Sequence, residues 1–161
     1  MLTRRTIIPF IVFGVSLATA ACSTTEDVEV LANAPTAPVR TGIVTGQTLG
    51  SLNALRTSRG RAPMVADPVL GRAALEHAQS MARSGRLSHA RFRSRMRAIG
   101  AGPAAENIAA GQTSVSSVMR AWSGSSGHRR NMLAPYSRVG VAVASNPASG
   151  NRPYWVMVVA N

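Results

Sequence analysis

The chain has 161 residues, with 18 basic side chains against 6 acidic ones and a single cysteine. Every basic residue is an arginine, and the formal net charge is +12. One domain fits once a targeting segment is subtracted, the lone cysteine excludes an intrachain disulfide, and the charge favours anionic partners.

Arg4 and Arg5 precede an apolar run from Ile7 to Ala18, which ends in the small residues Ala18-Thr19-Ala20-Ala21. Pro9 and Gly14 break the run, and it falls short of the ~20 residues that cross a bilayer. This is the pattern of a signal peptide over 1–21. Cys22 follows directly, and Thr19-Ala20-Ala21-Cys22 resembles the lipobox of bacterial lipoproteins, with Thr19 where Leu is usual. That resemblance implies acylation of Cys22 and a membrane anchor. Residues 22–45 begin acidic (Glu26, Asp27, Glu29) and turn rich in Ala, Pro, Thr and Val, as suits a flexible tether. The domain is then expected over 46–161.

Leu49, Leu52 and Leu55 recur every third residue and predict a helix from about Gln47 to Ser58. Asp67-Pro68 reads as an N-cap followed by Pro at the first helical position, and Gly85 as the stop of a helix ending at Ser84. His77 shares the apolar face of Leu70, Ala74, Ala78 and Met81, where a hydrogen-bonded core histidine is the expectation. Gly85 to His89 is a turn that delivers a second histidine. Arg91 to Ile99 reads as a short helix with Phe92, Met96 and Ile99 inward. Its arginines 91, 93, 95 and 97 form a solvated face or an anion contact.

Ala105 to Gly111 is an apolar segment carrying one carboxylate, Glu106, which once buried needs a partner or a raised pKa. Ser114 to Trp122 is helical, with Val115, Val118, Met119 and Trp122 inward. A small-residue turn then presents His128 at the start of another short helix. Arg138–Ala144 and Tyr154–Ala160 are continuous apolar strands, covered on both faces and joined as an antiparallel pair. Helices first and strands last predict an α/β chain: a three-layer α/β/α sandwich around a small, mainly antiparallel sheet.

From about Leu49 to Ala160 the chain resembles small bacterial members of the CAP superfamily (cysteine-rich secretory proteins, antigen 5 and pathogenesis-related proteins), also called the SCP domain. The pieces that carry the resemblance are Leu52-Asn53-Ala54-Leu55-Arg56, His77 to Ala82, Leu87-Ser88-His89, Glu106-Asn107-Ile108-Ala109, Trp122 with Ser126 to Leu133, Val139 to Ala142 and Tyr154-Trp155-Val156. The resemblance implies a groove lined by His89, Glu106 and His128, with Asn107 and Ser125 beside them. Ser125 stands where eukaryotic members carry a second acid, so a tetrad becomes a triad.

Two imidazoles and a carboxylate can ligate a divalent metal such as zinc, act as general acid and base, or shape a polar pocket. No Gly-x-Ser-x-Gly elbow exists and the only cysteine lies in the signal, so Ser and Cys nucleophiles have no support. Two functional readings remain. One is a lipid-anchored, extracytoplasmic protein of the bacterial envelope, on the periplasmic or cell-surface side. Its groove binds a small or lipid-like ligand, and its arginine surface meets anionic envelope polymers or lipids, not nucleic acid. The other is a metal-assisted, peptidase-like hydrolase of envelope material.

Overall fold

In the computed structural model, which describes residues 41–161, local signals and observed elements agree most closely along the longest helix. The Asp67 carboxylate accepts from the backbone N–H groups of Val69 and Leu70 at 2.7 and 3.0 Å. Pro68 opens the helix, and Gly85 closes it in the left-handed conformation at φ 67°. The expected signal peptide over 1–21, Cys22 and residues 22–40 of the expected tether lie outside the described residues.

Five helices surround the sheet: α1 Thr45–Ser58, α2 Pro68–Ser84, α3 Phe92–Ala98, α4 Val115–Gly124 and α5 Ser126–Leu133. Its strands are β1 Gly42–Ile43, β2 Val65–Ala66, β3 Ala104–Ala110, β4 Arg138–Ala144 and β5 Tyr154–Ala160. The order is β1-β4-β5-β3, with β2 paired to the opposite end of β4 from β1. All pairings are antiparallel except the short β2–β4 contact. The expected α/β/α sandwich is present.

Alternation along the strands divides the core in two. Val139, Val141, Val143, Trp155, Met157 and Val159 face α1, α4 and α5. Ala142, Ala144, Val156, Val158 and Ala160 face α2 and α3, where Leu70, Ala74, Ala78 and Met96 pack. Both faces are apolar because both are covered, so the strands read as continuous apolar runs. Each fully buried leucine, such as Leu52 and Leu55, contributes roughly 1.5–3 kcal/mol. Gly140 permits the closest approach of α2 to β4, since a Cβ there would overlap the backbone of Leu70 and Gly71.

The domain begins earlier than the expected residue 46. Gly42 and Ile43 pair with Val143 and Ala142, and the Val44 N–H donates to Val141 O at 2.8 Å. Thr45 Oγ1 accepts from Val141 N at 2.9 Å, so residues 42–45 belong to the folded unit and not to the tether.

One segment left without an assignment proves decisive. Residues 104–110 form β3, an edge strand whose single strand partner among the described residues is β5. Its free edge is closed by side chains: Asn131 Nδ2 donates to Glu106 O at 3.3 Å and Trp122 Nε1 to Ile108 O at 3.3 Å. Such covering protects an edge that would otherwise recruit another strand.

Candidate functional site

The register of β3 decides which of its polar residues reaches which layer. Glu106 lies on the α2/α3 side of the sheet, and Asn107 on the opposite side, toward α5. The Glu106 side chain is 1% exposed and is partnered on both oxygens. Arg95 Nη2 donates to Oε2 at 2.7 Å, and His89 Nδ1 lies 2.9 Å from Oε1. A buried carboxylate with a guanidinium and an imidazole has its charge and lone pairs answered.

Three local features bring His89 there. Ser88 Oγ accepts from Ala90 N at 3.0 Å, Phe92 N donates to His89 O at 3.2 Å, and Arg91 takes a left-handed conformation at φ 55°. Nδ1 faces Glu106, and the His89 side chain is 56% exposed.

His77 supports this arrangement from beneath. It is buried, as expected of a core histidine, and its Nε2–H donates to Ser88 O at 2.6 Å, which ties α2 to the His89 turn. Glu106 Oε1 lies 3.9 Å away. Burial pushes the His77 pKa below the ordinary imidazole value, and Arg95 and His89 push the same way. Glu106 and the Ser88 carbonyl only partly offset them.

His128 comes from the other layer, at the start of α5. Its carbonyl accepts from Asn107 Nδ2 at 3.1 Å, and Asn107 Oδ1 accepts from Asn131 Nδ2 at 2.9 Å. Burial and then the neighbouring His89 hold its pKa below the usual value. The two imidazoles thus come near each other around the free edge of β3. Asn107 is buried and holds the His128 backbone through its carbonyl. Ser125 sits at the junction of α4 and α5, where its side chain makes no cap hydrogen bond.

Two further features bear on the chemistry of the site. Among the described residues, no group of three or more His, Cys, Asp and Glu side chains is arranged to hold a metal ion. Arg95 occupies one Glu106 oxygen, Oε2. Nor is Arg95 part of a uniformly solvated row. It is 20% exposed, lies over the Phe92 ring at 5.6 Å from the centroid, and has Nη1 buried without a hydrogen-bond partner among the described residues. Sequence reasoning missed it because nothing local distinguishes it from Arg91, Arg93 or Arg97.

A tight dyad of imidazole and carboxylate, a second imidazole across an edge strand, and a sheet between two helical layers together describe the site. The CAP profile, "Cysteine-rich secretory protein family", matches residues 49–160. The chain belongs to this family. Solved structures share the CAP fold at low identity. An extracellular protein containing an SCP domain from Bacillus anthracis str. Ames aligns with TM-score 0.63 and 20% identity, over 72% of this chain and 39% of that one. An outer surface protein from Borrelia burgdorferi aligns with TM-score 0.63 and 17% identity, over 87% and 96%. A cysteine-rich secretory protein from Staphylococcus aureus subsp. aureus Mu50 aligns with TM-score 0.58 and 19% identity, over 71% and 38%. The chain therefore spans under two fifths of the length of the Bacillus and Staphylococcus proteins. No curated protein sequence matches it. Among the described residues no helix is long and apolar enough to cross a membrane.

Proposed function

We propose that this CAP domain is a binding module of the bacterial cell envelope, held outside the cytoplasm by an acylated Cys22. In this reading the groove beside His89 and His128 takes a small or lipid-like ligand. The observation that carries the reading is the full engagement of Glu106. With Arg95 on one oxygen and His89 on the other, its carboxylate is held and charge-compensated within the protein. What the site offers a ligand is the exposed His89 imidazole and its partner His128, which suits hydrogen bonding. The extracellular Bacillus protein and the outer surface protein of Borrelia support the placement, as does the Thr19–Cys22 pattern.

The competing reading, a metal-assisted hydrolase, needs an acid to replace the one missing at Ser125. Asp67 is paired with Arg138 at 2.6 Å, and Glu76 is exposed on α2. Neither supplies it.

Native mass spectrometry of the protein purified from membranes tests the reading. A co-purified ligand lost from the double variant His89→Ala/His128→Ala, together with a diacylglyceryl mass on Cys22, is the expected result. An unmodified N-terminus would refute the anchor, and a ligand unaffected by the double variant would refute the groove.

A further inference from the structure

Beside His89, on the outer side of α3, lies an open cavity of about 470 Å³ lined by His89, Arg91, Phe92, Arg93, Ser94 and Arg97. Arg91, Arg93 and Arg97 are exposed and make no ion pair among the described residues. Residues 46–161 hold only three acids; Asp67 is spent on Arg138, Glu106 on Arg95 and His89, and Glu76 does not line the cavity. Three guanidinium groups around one concavity repel one another unless an anion joins them. Arg91 is also held at φ 55°, a conformation that glycine or asparagine would adopt at less cost.

We infer that this cavity is the anion subsite of the domain and takes the phosphate of an anionic lipid headgroup. Guanidinium forks match phosphate oxygens in geometry and charge. The cavity holds far more than a free tetrahedral oxyanion, and Phe92 in its lining gives apolar surface for the start of the acyl chains that follow a lipid headgroup. His89 belongs to both this cavity and the Glu106 cluster, so the subsite deepens the reading of the groove as a ligand-binding site and rests on it. Arg95 contributes indirectly, by answering Glu106 and removing a negative charge that would repel the ligand.

The test uses the full chain in nonionic detergent, titrated with dihexanoyl phosphatidylglycerol, dihexanoyl phosphatidylcholine or inorganic phosphate. Heat and the His89 imidazole resonance are followed. Phosphatidylglycerol should bind and move the His89 signal, with phosphatidylcholine and inorganic phosphate clearly weaker. The triple variant Arg91→Ala/Arg93→Ala/Arg97→Ala should weaken binding by more than roughly tenfold, since each lost contact is a charge-assisted hydrogen bond. The equally charged control Arg61→Ala/Arg72→Ala/Arg83→Ala, on exposed positions elsewhere, should retain binding within about twofold at physiological salt. Equal losses in the two triple variants would replace the subsite with diffuse charge. Inorganic phosphate binding as tightly as the lipid would overturn the headgroup assignment, and no binding of phosphatidylglycerol would overturn the subsite. His128→Ala separates the two readings. If it leaves both headgroup binding and any co-purified ligand intact while the arginine triple variant fails, the groove reading falls and the subsite stands.

Discussion

Arg95 Nη2 and Glu106 Oε2 are 2.7 Å apart, joining a seven-residue helix to the edge strand of the sheet around a carboxylate that is 1% exposed. Removing either partner leaves the other short of its charge, but the two losses differ. Arg95→Met strands a buried carboxylate on His89 alone and should cost about 3–5 kcal/mol. Glu106→Gln leaves a guanidinium that is 20% exposed and keeps an acceptor for it, so about 1–3 kcal/mol is expected. Urea unfolding at pH 7 should rank them in that order. The double variant Arg95→Met/Glu106→Gln should cost less than the sum.

Asn107 links the strand to the helix that carries His128. Asn107→Ala removes hydrogen bonds to His128 O and Asn131 Nδ2 and should destabilise by about 1–3 kcal/mol. The same substitution should move the His128 imidazole resonance far more than that of His77. An unchanged His128 signal would show that Asn107 does not position it.

How much of this was legible in the sequence depends on where the determining contacts lie. The ends of α2 follow from Asp67, Pro68 and Gly85, all local, and β4 and β5 follow from uninterrupted apolar runs. Strand β3 was not legible. Ala104-Ala105-Glu106-Asn107-Ile108-Ala109-Ala110 has one β-branched residue, and its extended form comes from pairing with β5 across the domain. On a strand a neighbour of Glu106 must face the other layer, which is where Asn107 lies. The pairing of Arg95 with Glu106 spans a turn and a strand, and four alternating arginines gave no local reason to choose one. The resemblance pointed to His89 and Glu106, which lie 2.9 Å apart, while the guanidinium that pairs with the carboxylate, Arg95, carried no such signal.

Close packing at Gly140 gives a prediction about the fold itself. Gly140→Ala would drive a methyl group into the backbone of α2 at Leu70 and Gly71. A loss of at least about 3 kcal/mol, or failure to fold, is expected. Gly71→Ala should be milder, because its Cβ would meet the Ile43 side chain at 3.1 Å, on a residue that is partly exposed and can shift. Thermal melts of the two variants would check the contrast.

Stability should also fall in mild acid. His77 and His128 both have folded-state pKa values below the ordinary imidazole value, mainly through burial, so the unfolded chain binds protons more readily. Their contribution is complete above about pH 6.5 and diminishes as pH drops from there toward the folded-state values. Denaturant midpoints at pH 7.5 and 5.5 should show the decline, and His77→Gln should reduce it. A midpoint that rises on acidification would contradict the assignment.

The central claim is that Arg95 supplies the positive charge at Glu106 and makes the site a groove for a ligand instead of a metal centre. Calorimetric titration of the purified, chelator-treated protein with zinc at pH 7 tests it most directly. The prediction is no stoichiometric binding at micromolar concentration, in the wild type or in Glu106→Gln. One tightly held ion per chain, abolished by Glu106→Gln and by His128→Ala, would contradict it.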